Sequence, residues 1–75
     1  MKMVESISKR ERNTEARNQI NRIAKEFGVR YSFIARQMGV DVANFNHWRH
    51  GKKYEYGVER LYQVEAIIEK YNLTN

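Results

Sequence analysis

Four glycines and no proline divide this chain of 75 residues, and their positions constrain its fold more than any other feature. Gly28, Gly39, Gly51 and Gly57 separate stretches whose apolar residues recur at helical spacing, and no stretch alternates as a strand does. There is no cysteine, so no disulfide staples a domain this small and helix packing must supply its core. The expected fold is all-α, one compact bundle of four main helices.

Ala16, Ile20, Ile23, Ala24 and Phe27 form a single stripe that predicts the first helix over residues 14–27, with Gly28 at its left-handed end. Ahead of it, Ser8 and Glu11 fit a capping box, and Thr14 followed by Glu15 is a second possible start. Residues 1–12 are therefore either an extra helical turn or a basic arm. The second helix is expected over 31–38, with Ile34, Ala35 and Met38 inward and Gly39 ending it. Asp41 stands where an N-cap is wanted for a third helix over 42–50, which Gly51 closes. Residues 52–57 read as a loop with Tyr54 and Tyr56 packed beneath it, and the fourth helix covers 58–71. Glu59 in its first turn and Lys70 in its last suit the helix dipole, and Asn72 is the expected C′ residue.

The longest apolar runs, 33–35 and 66–68, are three residues each, which excludes a transmembrane helix or signal-peptide core within this sequence. A cytoplasmic location is expected, with no membrane partner. Fourteen Lys and Arg against nine Asp and Glu give a net charge of +5, and the distribution is uneven. Residues 1–30 carry +4, residues 31–53 carry +3 and residues 54–75 carry −2. Such segregation suggests one face that meets a polyanion and another that does not. Arg10, Arg12, Arg17 and Arg22 read either as a solvated face or, in part, as phosphate contacts.

The informative segment is 31–50, two short helices around a tight turn. Gly39 supplies the turn, small Ala35 lets the next helix approach, Val40 plugs the turn, and Phe45 and Trp48 anchor the third helix. These are the packing rules of a helix-turn-helix. The segment 39–52, GVDVANFNHWRHGK, resembles the turn, recognition helix and following loop of the phage repressor and Cro superfamily, and with flanking helices the resemblance covers residues 14–71. It makes residues 13–75 a helix-turn-helix DNA-binding domain. Arg30 stands where relatives often cap the second helix with Ser or Thr, and Tyr31 replaces a glutamine that some use to hold a phosphate.

The resemblance implies that the third helix enters the major groove of double-stranded DNA. Placing Phe45 and Trp48 inward leaves Ala43, Asn46, His47 and His50 outward, with Val42 and Asn44 at the edges. Candidate base contacts are Val42, Ala43, Asn44, Asn46 and His47. Asn suits adenine, Val and Ala a thymine methyl, and His a guanine acceptor. Candidate phosphate contacts are Tyr31, Ser32, Arg49, His50, Lys52 and Lys53.

The fourth helix has apolar and aromatic residues over more than half its circumference, more than a small core needs. A homodimer would use the surplus, with Tyr62, Ile67 and Tyr71 as candidate contacts. The sequence-based reading is a sequence-specific transcription regulator, a small phage or mobile-element repressor. The alternative is a protein-interaction module, an antitoxin or recombination-complex adaptor, that uses the fourth helix. His47 and His50 could form half a metal site, but there is no Cys, and Asp41 and Glu55 have capping or loop roles. No metal, no cofactor, no catalytic residue and no small-molecule ligand is expected, and the chain does not read as an enzyme.

Overall fold

The computed structural model describes residues 8–51 and 55–73. Its helices are, in order, α1 (Lys9–Phe27), α2 (Tyr31–Met38), α3 (Val42–Arg49) and α4 (Val58–Leu73). Among the described residues there is no strand, and no helix is long and apolar enough to cross a membrane.

Each helix end has a local cause. Of the two possible starts for α1, the earlier forms: the Ser8 hydroxyl accepts from the Glu11 N–H and the Glu11 carboxylate accepts from the Ser8 N–H, both at 3.1 Å. That reciprocal pair satisfies two free donors and carries the helix five residues beyond the 14–27 stripe. Gly39 ends α2 at φ +75°, donating to Arg36 while Val40 donates to Ala35, each at 3.0 Å. This is a Schellman closure, and Val40 packs against the core as its hydrophobic partner. Asp41 then caps α3 by accepting from Ala43 at 3.0 Å. The sequence placed His50 in α3 and Asn72 after α4. Instead His50 is the cap that follows α3, and α4 continues through Asn72 to Leu73.

α1 lies against α4 and α3, and α2 lies against α3 and α4. The core takes Ala16, Ile20 and Ile23 from α1, Ile34, Ala35 and Met38 from α2, Phe45 and Trp48 from α3, and Leu61, Val64 and Ile68 from α4. Tyr56 joins it from the segment before α4, its ring stacked on the Trp48 indole at 4.4 Å and 13°. Tyr54 lies outside the described residues. Phe27, expected on the inward stripe, is instead partly exposed at the end of α1 and meets Tyr71 at 5.3 Å.

Inside this apolar set sits one polar side chain, Asn13, with no exposed surface. Its amide donates to the Lys9 carbonyl at 2.9 Å and the Tyr56 carbonyl at 3.1 Å. Its oxygen accepts from the Trp48 indole N–H at 2.6 Å and the Tyr56 N–H at 2.8 Å. Both donors and both acceptor sites of the carboxamide are thus used.

The broad apolar surface of α4 is divided. Ile67 and Tyr71 are half-buried and flank the chain's own core. Tyr62 is 64% exposed and Leu73 78% exposed.

Two stability outcomes follow from these ends and this core. A Cβ on Gly39 would meet nothing within 4 Å, so any penalty there is the backbone's alone. Gly39→Val is expected to destabilise by about 1–3 kcal/mol, and Gly39→Asn, which tolerates the left-handed region, by clearly less. Asn13→Ala leaves the Trp48 and Tyr56 donors buried without a partner and is expected to lose about 2–5 kcal/mol. The exposed Asn18→Ala on the same helix should stay within about 0.5 kcal/mol of the parent. Urea denaturation of the four variants measures all of these values.

Candidate nucleic-acid interface

The rotation of α3 about its axis is fixed by its two buried rings. Phe45 and Trp48 are fully buried and lie 5.7 Å apart, and Phe45 also meets the Tyr31 ring of α2 at 6.3 Å. Both ends of α3 are held as well. Asp41 occupies the N-terminus. At the C-terminus, Arg17 of α1 donates from Nε to the Trp48 carbonyl at 2.6 Å, with its guanidinium 5.5 Å from the indole ring centre. A cation on a helix's last carbonyls is favoured both as a hydrogen bond and by the dipole. Gly51, at φ +71°, passes close by, with Arg17 atoms 3.7 Å from where a Cβ would be.

This clamping leaves the opposite face of α3 outward. Of the candidate base contacts, Val42, Ala43, Asn44 and His47 are exposed, and Asn46 is half-buried. Among the candidate phosphate contacts, Ser32 and His50 are exposed, while Tyr31 and Arg49 are half-buried. Lys52 and Lys53 lie outside the described residues. The first turn of α2 has no side-chain cap on its N–H groups, because Arg30 holds the N-cap position. An anion can settle there, whereas the carboxylate of Asp41 already occupies the corresponding end of α3.

Arg49 is held more firmly than an exposed phosphate-seeking arginine. Its guanidinium carbon lies 3.8 Å from the Tyr31 ring centre. It donates from Nε to Asn46 Oδ1 at 3.1 Å and from a terminal nitrogen to Asn21 Oδ1 at 3.3 Å. Its other terminal nitrogen lies 3.4 Å from His50 Nε2. The Tyr31 hydroxyl is also engaged, donating to Asn21 Oδ1 at 3.2 Å. The hydroxyl proton expected for a phosphate is therefore directed into the domain.

The α1 arginines have internal partners too. Arg12 makes a two-pronged bond to Glu65 of α4, at 3.1 and 2.8 Å, and lies over the Tyr62 ring at 5.4 Å. The hydrogen bond to Glu65 raises the Arg12 pKa above its ordinary value despite the opposing effect of burial. Arg22 bonds Glu26 and Asn72, each at 2.8 Å, and Arg10 lies 3.9 Å from Glu55. Part of the positive charge on this helix, at Arg10 and Arg12, therefore meets carboxylates of the acidic last segment. On the α2–α3 unit, by contrast, Arg30 and Arg36 are exposed and make no ion pair among the described residues.

Sequence reasoning missed Asn13 and Asn21, which organise this site, and read Arg17 as a solvated or phosphate-facing residue rather than as the partner of the Trp48 carbonyl. Asn13 left a trace, because it continues the α1 stripe three residues before Ala16. Arg17 and Asn21 left none, since their partners lie on other helices. Among the described residues, no group of three or more His, Asp or Glu could hold a metal ion. No protein-family model, curated protein or solved structure matches the chain significantly.

Proposed function

We propose that this domain binds double-stranded DNA sequence-specifically, with α2 and α3 as a helix-turn-helix and α3 in the major groove. The observation that carries this reading is the outward face of α3. It is anchored from behind by Phe45 and Trp48, clamped at both ends, and lined by Val42, Ala43, Asn44, Asn46 and His47. Those side chains offer hydrogen bonds and methyl contacts of the kinds that read base edges, and base readers need not be charged. Positive charge is available at Arg49 beside them and at the exposed Arg30 and Arg36 of the neighbouring α2 region, which suits phosphate contacts. By its resemblance to phage repressors, the domain acts as a transcription regulator, a small repressor of phage or mobile-element type.

A homodimer through α4 is the matching assembly, and the exposure of Tyr62 favours it over one built on Ile67 or Tyr71, which flank the core. The same exposed tyrosine supports a second reading, in which α4 docks another protein.

Binding to a selected site and to random duplex separates base reading from charge. His47→Ala should lose about 1–3 kcal/mol on the selected site and little on random DNA. Lys53→Ala should weaken both alike and flatten the slope of log affinity against log salt by about one unit. Equal losses on both duplexes for His47→Ala would remove His47 from the base readers. For the dimer, selected sites should be inverted repeats, and Tyr62→Glu should sediment as a folded monomer. A monomeric parent at binding concentrations, with asymmetric selected sites, would exclude it.

A further inference from the structure

Resting on the DNA-binding reading above, we propose that Arg49 sets the polarity of Asn46, so that this asparagine reads a guanine rather than an adenine. A free asparagine has no fixed sense. It matches adenine by accepting from N6 and donating to N7, and that pairing needs its oxygen and its nitrogen to face the base together.

Here the oxygen faces elsewhere. Arg49 Nε lies 3.1 Å from the Asn46 side chain and can only donate, so the atom that meets it is Oδ1. The arginine is itself fixed. Tyr31 supports its guanidinium at 3.8 Å, and Asn21 Oδ1 accepts one terminal nitrogen at 3.3 Å while taking the Tyr31 hydroxyl proton at 3.2 Å. The chain of orientation runs from α1 through Asn21 to Arg49 and ends at Asn46.

With Oδ1 turned back to Arg49, the Asn46 amide is left as the outward group. It carries two N–H donors and no competing acceptor. In the major groove, guanine presents two neighbouring acceptors, N7 and O6, whereas adenine presents one acceptor and one donor. A donor-only probe therefore prefers guanine. Asn44, exposed and with no side-chain hydrogen bond among the described residues, keeps the freedom that Asn46 lacks. In this scheme Arg49 and Asn21 are positioning residues.

The test is selection of bound duplexes from a random pool with the full chain and four variants. Asn46→Ala identifies the base position that Asn46 reads, as the one that becomes degenerate. The parent should show guanine there, favoured over adenine by about tenfold. Arg49→Lys keeps the charge but loses the planar fork, so guanine preference at that position should fall, with the salt dependence unchanged. Asn21→Ala should do the same, and Asn21→Asp, which keeps an acceptor for Arg49, should restore it. Adenine at that position in the parent, or guanine preference untouched in both Arg49→Lys and Asn21→Ala, would overturn the proposal while leaving sequence-specific binding in place. A selected motif in which Asn46→Ala alters no position would overturn it in the same way. Failure to enrich any motif from the pool would overturn this inference together with the function it rests on.

Discussion

The Asn13 carboxamide joins parts of the chain that no apolar contact could hold in register. It takes the Trp48 indole N–H from α3 and both backbone groups of Tyr56 from the segment leading into α4, while its own helix is α1. Hydrophobic burial is non-directional, and a stripe of Ile and Ala would let α3 rotate or slide against α1 at small cost. A buried polar group with all its hydrogen bonds made has one low-energy arrangement, and each alternative leaves donors without water or partner. The indole is therefore fixed in position as well as buried, with the Tyr56 ring stacked on it. Because Trp48 also sets which side of α3 faces outward, a buried asparagine on the first helix determines what the third helix presents.

The arginines of α1 bear on the same problem. A net charge of +5 in a small chain suggests a basic surface everywhere. Arg12 and Arg22 instead bridge to α4, and Arg17 covers the end of α3. The acidic last segment is in part the counterpart of the basic first one. The exposed cations that make no ion pair among the described residues include Arg30 and Arg36, beside or on α2, and Lys9 and Lys25 of α1. Net charge alone therefore overstates the basic area.

Helix order and turns were legible in the sequence because their causes are local. Gly39, Asp41 and the Ser8–Glu11 pair each act within five residues of the end they define, and the apolar spacing names the core side of the first three helices. The inward placement of Phe45 and Trp48 was legible for the same reason, and with it the outward set from Val42 to His47. What was hidden are contacts between long polar side chains on different helices. Asn21 with Arg49 and Arg12 with Glu65 span 28 and 53 residues of sequence, and no periodicity reports them. Phe27 and Tyr71 show the converse limit. Both fit an apolar stripe, yet they end in partial exposure against each other, because near its helix ends a small core has nothing further to cover them.

For the proposed recognition role, the contacts that hold α3 matter most, whether local or hidden. An eight-residue helix has little rigidity of its own, and its first and last turns fray unless something outside them holds the backbone. In this domain Asp41 holds one end and Arg17 the other, and Arg49 restrains the side chain in between. Preorganisation of that kind lowers the ordering entropy lost on binding, which a small interface can ill tolerate. In the proposed complex it also narrows what the face accepts, since a restrained amide cannot rotate to suit a second base. If α3 reads DNA as proposed, affinity and selectivity there depend on the same few polar contacts, and loosening any one of them relaxes both.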